Sequence, residues 1–261
     1  SDVYKRQGVV ERFVVLGNVV ESSLSYPNRL RWSGVNDETD YDQDAATMSD
    51  SQDLHGDFGP IQKVVSGGQY GVVLSQRGIH RMTFIGPPEV FEVLLVEQNR
   101  GCIAPSGVAT WGRMVFFIDA DGFYAFDGSA AAPISHGKVS QYFFDHWQED
   151  FRYRISAAID PVNSLVIWAF VSTDNVSADP DPDRLMIYHW PSGRWSIANV
   201  SVEWLFRGAT SPISIDDITD SIDSLPYSLD SVALAGGSVK LGAFDTSHQF
   251  KFFGGSNLAA T

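Results

Sequence analysis

Three alternating carboxylates, Asp40-x-Asp42-x-Asp44, form the first group of side chains whose spacing could bind a metal ion. This rhythm opens a calcium-binding loop, but such a loop also needs glycine at its sixth position and a bidentate acid at its twelfth. Those positions hold Ala45 and Ser51. The sequence therefore predicts no calcium site here, and we expect no resident metal and no cofactor.

A second pair of carboxylates lies in Asp119-Ala120-Asp121-Gly122. Glycoside hydrolysis needs two carboxyl groups that flank a sugar, and the segment faintly resembles the aspartate box of sialidases. In that family the box is structural and lies in a hairpin turn. Because Asp-Gly also favours tight turns between strands, we predict that Asp119, Asp121 and Gly122 form a structural hairpin turn.

Other nucleophiles and bases form no catalytic arrangement. The single cysteine, Cys102, cannot form an internal disulfide or a cysteine-based zinc site, and we predict that it is buried. The chain contains no Gly-x-Ser-x-Gly elbow and no phosphate-binding loop. We therefore predict no enzyme and no catalytic residue. The histidines are scattered at His55, His80, His136, His146, His189 and His248.

The charge is strongly negative and unevenly distributed. The chain has 32 acidic and 18 basic residues, for a formal net charge of −14, which disfavours binding to phosphate backbones. Residues 36–57 contain eight acidic residues and no lysine or arginine. We predict acidic loops at 36–57, 174–183 and 211–231. The triplet Asp179-x-Asp181-x-Asp183 is interrupted by prolines, so it also fails the calcium pattern.

The elements that must position these residues are short strands. Apolar stretches rich in Val, Ile, Phe, Tyr and Trp are separated by Gly, Asp, Asn and Pro, a pattern typical of strands joined by tight turns. The tryptophans are expected to pack between these strands. The best helix candidate is Gln141–Phe151. The predicted strands are Phe13–Val20, Ile61–Ser66, Gly71–Ser75, Ile79–Ile85, Val90–Glu97, Val108–Trp111, Met114–Asp119, Gly122–Phe126, Ile155–Ile159, Ser164–Val171, Leu185–Trp190, Trp195–Val200, Val239–Phe244 and Gln249–Phe253.

The strands recur in units of roughly 40 to 50 residues, the span of a propeller blade. We predict an all-β fold, a β-propeller-like array of short antiparallel strand units that is incomplete at its ends, with a β-sandwich as the alternative. The first unit, Phe13–Trp32, is expected to be incomplete. Residues 8–254 form one predicted domain, 1–7 a non-native or truncated leader, and 255–261 the start of a following segment. No apolar run approaches the roughly 20 residues that cross a bilayer.

Several motifs resemble one family in order and spacing. The segment Pro27–Gly34, followed by Asp37, Thr39 and Asp40, resembles a stretch of structural proteins of tailed bacteriophages. The family is the β-propeller protein of phage tails and head–tail connectors, including nozzle-like proteins. The likeness continues through Ile61–Gly71, Arg77–Phe84, Gly86–Pro88, Gly101–Pro105, Asp121–Tyr124, Asp127–Gly128 and Trp190–Trp195.

The resemblance implies a non-enzymatic virion structural protein, made in the host cytoplasm, whose partners are other copies of itself and other virion proteins. DNA would pass such an assembly without specific binding. We expect the acidic loop either to face a subunit interface or channel, or to keep the subunit soluble. The alternative function is a glycan-binding or glycan-cleaving propeller. The loop residues considered for the interface or channel are Asp37, Glu38, Asp40, Asp42 and Asp44.

Overall fold

The computed structural model describes residues 6–209 and 239–253. Its strands form five separate antiparallel sheets, and each sheet is built from strands that follow one another along the chain. The fold is therefore all-β and propeller-like. The alternative of a β-sandwich is wrong, because the strands do not merge into two stacked sheets.

Each of the first four sheets has four strands, and the fifth has three described strands. Sheets 1 and 2 contain β1 (Gln7–Val10), β2 (Phe13–Glu21), β3 (Leu24–Trp32) and β4 (Asp50–Asp53), then β5 (Ile61–Ser66), β6 (Gly71–Ser75), β7 (Gly78–Gly86) and β8 (Val90–Gln98). Sheets 3, 4 and 5 contain β9 (Ala109–Trp111), β10 (Met114–Asp119), β11 (Gly122–Phe126) and β12 (Ala131–Pro133), then β13 (Ser156–Asp160), β14 (Leu165–Phe170), β15 (Arg184–His189) and β16 (Arg194–Asn199), then β17 (Trp204–Ala209), β18 (Val239–Phe244) and β19 (Phe250–Phe252).

The five sheets begin at nearly regular intervals of about 50 residues, which confirms the predicted repeat. The first strands of neighbouring sheets lie beside one another: β1 packs against β5, β9 against β13, and β13 against β17. A helix, α1 (Ser140–His146), and 3-10 turns at Pro105–Gly107 and Glu149–Arg154 connect the sheets. The sheets therefore follow one another as blades in chain order.

The core consists of four hydrophobic clusters, one between each pair of successive sheets. In β10, Phe117 belongs to the cluster shared with sheet 2, whereas its neighbour Phe116 belongs to the cluster shared with sheet 4. In β14, Trp168 faces sheet 3 and Ile167 faces sheet 5. Because side chains alternate along a strand, a strand between two neighbours must be apolar at every position.

Trp32 and Trp168 pack in the cores between sheets, as predicted, and they also hold connecting segments by hydrogen bonds. The indole Nε1 of Trp168 donates a hydrogen bond of 2.8 Å to the carbonyl of Gly107. The indole of Trp32 donates one of 2.9 Å to the carbonyl of Met48. Trp111 and Trp204 are exceptions, since 42% and 37% of their surfaces are exposed.

The observed bounds of sheet 1 and of the helix differ from those predicted from the sequence. The first unit is complete, because β1 precedes the predicted strand and β4, Asp50–Asp53, closes the sheet inside the segment predicted as an acidic loop. Gln7 belongs to β1, so the predicted leader 1–7 overlaps the fold. The predicted helix is shorter, as α1 ends at His146 and a 3-10 turn follows. The predictions for residues 1–5, 211–231 and 255–261 lie outside the described residues.

A buried histidine makes the fold sensitive to acid. His80 in β7 is only 4% exposed, its Nδ1 has no hydrogen-bond partner, and its ring meets Phe58 edge-on at 4.9 Å. Burial lowers the pKa of His80 to about 4. As the pH falls, the imidazole of the unfolded chain is protonated near pH 6.5, whereas the folded imidazole stays neutral until about pH 4.

We expect the free energy of unfolding to fall as the pH drops from 6.5 to 4, by up to ~3 kcal/mol from this group. Replacing His80→Phe should remove that part of the pH dependence, as measured by urea unfolding at a series of pH values. The exposed His136→Phe is the matched control. Equal pH slopes for wild type and His80→Phe would contradict the assignment.

Candidate functional site

The predicted acidic site is a loop, residues 36–49, that is anchored firmly to sheet 1. We call it the acidic loop. At its start, the Val35 N–H donates a hydrogen bond of 2.9 Å to the Thr47 carbonyl, and the Asn36 N–H donates one of 3.0 Å to the Arg12 carbonyl. Met48 and Val35 pack against the core between sheets 1 and 2. The loop is thus held at both ends by the blade that carries it.

Three of its carboxylates shape the loop itself. Asp37 Oδ1 accepts hydrogen bonds from the Thr39 hydroxyl at 2.7 Å and from the Thr39 N–H at 3.0 Å. These bonds hold the pKa of Asp37 below its ordinary value. Asp40 and Asp44 cap backbone N–H groups two residues further on, at 3.1 and 2.9 Å. This is the local turn chemistry that aspartate favours.

The carboxylates of the acidic loop have no cationic partner among the described residues. Asp37, Glu38, Asp42 and Asp44 are exposed, and Asp40 is half-buried. None of the five makes an ion pair with a described residue. The structure therefore brings together on one loop the residues that the sequence singled out, and no described cation compensates their charge.

The second predicted acidic loop, residues 174–183, differs from the first. It is irregular, as predicted, but its carboxylates are paired. Arg154 donates a hydrogen bond of 2.8 Å to Asp181 and also contacts Asp179. This arginine follows α1 and is more than 20 residues away along the chain, so neither charge pattern nor spacing signals the pairing. The segment is an acidic loop, as predicted, but the sequence does not predict its ties to Arg154.

The predicted hairpin turn joins β10 and β11. Asp119 pairs with Gly122 across the ladder, so the two turn residues are Ala120 and Asp121. Neither of them has a positive φ. The hairpin is therefore confirmed, but the primed Asp-Gly turn is wrong, because such a turn needs positive φ at its central residues. Gly122 is instead the first residue of β11, where a Cβ would lie 2.7 Å from the Ser135 hydroxyl.

One guanidinium holds both carboxylates of the hairpin. Arg100 Nη1 lies 2.7 Å from Asp121 Oδ2 and 3.5 Å from Asp119 Oδ2, and the Arg100 guanidinium lies over the Tyr124 ring at 4.5 Å. The Tyr124 hydroxyl donates a second hydrogen bond to Asp121, at 3.0 Å. No motif in the sequence predicts this role of Arg100, which lies 21 residues before Asp121 in the chain.

The pKa values of the two carboxylates are shifted in opposite directions. Burial raises the pKa of Asp119, which is 6% exposed. Burial also acts on Asp121, but the hydrogen bonds from Arg100 and Tyr124 hold its pKa below its ordinary value. A split of this kind occurs in acid–base pairs. Here, however, both carboxylates contact Arg100, and Asp119 also accepts a hydrogen bond from the Ala120 N–H within the turn.

The remaining candidate groups do not converge. Cys102 is fully buried, as predicted, and its thiol donates a hydrogen bond of 3.2 Å to the Ala104 carbonyl. Burial raises the pKa of this thiol to about 12, far from a nucleophilic thiolate. His189 contacts the Ser192 hydroxyl at 2.6 Å on the surface. Within the described ranges, no three His, Cys, Asp or Glu side chains are grouped as metal ligands.

A cleft of about 350 Å³ opens beside the start of sheet 3. It is lined by polar and cationic side chains that include Gln62, Gln76, Arg152 and Tyr153. The described lining contains no carboxylate, so it does not supply the pair that a glycosidase requires. In the described part of the chain, no helix has both the length and the apolarity that a bilayer crossing demands.

Comparisons with known proteins show a distant structural likeness and no sequence family. No protein-family model matches the chain, and no curated protein sequence matches it. Among solved structures, the chain is similar to apo AztD from Citrobacter koseri, with 13% sequence identity and a TM-score of 0.37 over 76% of this chain. The chain spans 46% of that protein's length. No residue role is transferred from it.

The hydrogen bonds of the hairpin predict that replacing Asp121 lowers the stability of the fold. Replacing Asp121→Ala removes the hydrogen bonds from Arg100 and Tyr124, and we expect the free energy of unfolding to fall by about 1 kcal/mol. Asp57→Ala is the matched control, since that carboxylate is 93% exposed and is paired with Arg77. The control should change stability by less than about 0.5 kcal/mol. Both values come from urea unfolding at neutral pH.

An Asp121→Ala variant no less stable than Asp57→Ala would contradict the structural role. Robust glycan hydrolysis by the wild-type chain, abolished by Asp119→Ala or Asp121→Ala, would show that the pair is catalytic.

Proposed function

We propose that the protein is a non-enzymatic structural subunit of a phage tail or head–tail connector. It would act in the virion, assembled with other copies of itself and other virion proteins. The observation that supports this proposal best is the acidic loop, an ordered surface whose carboxylates lack a cationic partner among the described residues. The virion assignment itself rests on the resemblance of the sequence motifs.

Uncompensated carboxylates on an anchored loop suit two tasks in such an assembly. DNA binds proteins through Lys and Arg that neutralise its phosphates. A surface without these residues repels the duplex and lets it pass. Alternatively, the same carboxylates would attract a basic patch on a neighbouring subunit. Both tasks need the loop to be held in place, which the hydrogen bonds of Val35 and Asn36 accomplish.

The glycan-directed alternative has weaker support. Its best carboxylate pair, Asp119 and Asp121, is bound to Arg100. The exposed Trp111 is available to stack on a sugar, but the cation beside it is Arg207 at 6.0 Å, and no carboxylate pair is described with it. A structural role, in contrast, requires no catalytic carboxylate pair and is compatible with the contacts of Asp119 and Asp121 to Arg100.

Replacing Asp40, Asp42 and Asp44 with Asn tests the loop. Asparagine keeps the oxygen that caps the turn N–H groups, so the fold should persist while three charges are lost. The matched control replaces Glu11, Glu89 and Glu92 with Gln, since these carboxylates are exposed and lie outside the loop. We expect the wild-type chain to show no micromolar binding to duplex DNA at physiological salt, measured by fluorescence anisotropy.

Two results would support the loop's role. A loss of binding to the neighbouring virion proteins, in the loop variant alone, identifies an interface. A gain of salt-sensitive DNA binding in the loop variant alone identifies a channel lining. If the loop variant and the control behave alike in both measurements, the loop is only a solvated surface. Micromolar DNA binding by the wild type would overturn the proposal.

A further inference from the structure

Among the residues that the structure describes, no sheet packs against one face of sheet 5. The opposite face carries Leu205, Leu241 and Ala243, which belong to the core shared with sheet 4. The ladder pairs Trp204 with Phe244 and Phe244 with Phe250, so these three side chains project from the other face. The full set of aromatic residues on that face, which we call the aromatic face, is Trp204, Phe206, Phe244, Phe250 and Phe252.

The rings of the aromatic face already pack on one another. Phe206 stacks on Phe250 at 5.1 Å and lies 5.2 Å from Phe244, while Phe250 meets Phe252 edge-on at 4.5 Å. Gly242 makes room for this arrangement, because a Cβ there would lie 2.6 Å from the Phe206 ring. The rings therefore form a continuous apolar surface and not scattered side chains.

This surface has the composition of an inter-sheet core but is open to solvent. Phe250 is 50% exposed, Phe244 38% and Trp204 37%. Contiguous exposed apolar patches of this kind mark interaction sites. In the four established interfaces, a face of the same aromatic and aliphatic character is covered by the next sheet. Continuity therefore indicates that the occupant is another antiparallel sheet.

The outer face of sheet 1 also has no sheet packed against it among the described residues, and it mixes aliphatic with polar side chains, because Leu16 pairs with Arg31. Val10 and Phe13 point into the core shared with sheet 2. The ladder pairs Val9 with Val14, and both therefore project from the opposite face, where Leu16 joins them. Val9 is 57% exposed. Within the described residues, none of the four hydrophobic clusters joins sheet 1 to sheet 5.

We propose that the aromatic face of one copy binds the outer face of sheet 1 of a second copy. The contact continues the series of blades from one chain into the next, head to tail. Its two surfaces differ, so the contact is heterologous and produces a ring if it closes or a filament if it does not. This proposal does not depend on the acidic loop or on the virion assignment.

The first arm of the test measures self-association of the full chain by sedimentation velocity from 1 to 100 μM. Phe244→Ser with Phe250→Ser should weaken association at least tenfold, and so should Val9→Ser with Leu16→Ser. The control is Val162→Ser with Val176→Ser, two residues that are 73% and 93% exposed in loops. The control should associate as the wild type does. Circular dichroism verifies that each variant is folded.

The second arm mixes the two weakened variants. Each retains the face that the other lacks, so the mixture should form a one-to-one heterodimer and grow no further. A wild-type chain that stays monomeric at 100 μM would overturn the proposal. Loss of association only in the Phe244/Phe250 variant, with no heterodimer in the mixture, would replace it with a symmetric contact between two aromatic faces. If a sheet-1 variant does not fold, Val9→Ser alone serves in its place.

Discussion

The structure depends on one constraint: a sheet between two others must bury both of its faces. Side chains alternate along a strand, so the middle strands carry apolar residues at every position. In β10, Val115 and Phe117 serve one interface and Phe116 and Ile118 the other. The same constraint applies at the ends of the series. In the described parts of the chain, sheets 1 and 5 each have a neighbouring sheet on one side only, which explains why apolar side chains such as Val9 and Phe250 remain exposed there.

Because inner strands such as β6, β10 and β14 are apolar on both faces, most charged side chains lie in turns, loops and the outer sheets. Two arginines bind carboxylates that lie far from them along the chain. Arg100 holds the hairpin, and Arg154 holds the loop at 174–183. On sheet 1, Glu21 lies between Arg29 and Arg31, at 2.9 and 2.6 Å. The acidic loop has no such tie within the described residues, and three of its carboxylates, Asp37, Asp40 and Asp44, accept hydrogen bonds from the loop's own turns instead.

The sequence predicts the apolar strands well and the polar contacts poorly. Gly71–Ser75 and Met114–Asp119 are predicted with their observed bounds, because burial on both faces produces a nearly uninterrupted apolar run. Strand β4, Asp50–Asp53, is missed because it is a polar edge strand, defined only by its pairing with β3. The tie between Arg154 and Asp181 is missed for a similar reason. Long-range pairing leaves no periodic signal in the chain.

The two proposed contacts rest on forces that respond oppositely to salt. Electrostatic attraction between the acidic loop and a basic partner is screened, with a Debye length of about 10 Å at 0.1 M salt. Burial of the aromatic face is insensitive to screening and is strengthened by excluded salts such as sulfate. Two copies that each carry a net charge of −14 also repel one another. Added salt relieves this repulsion, so head-to-tail association of the blades strengthens under the conditions that weaken any contact made through the loop.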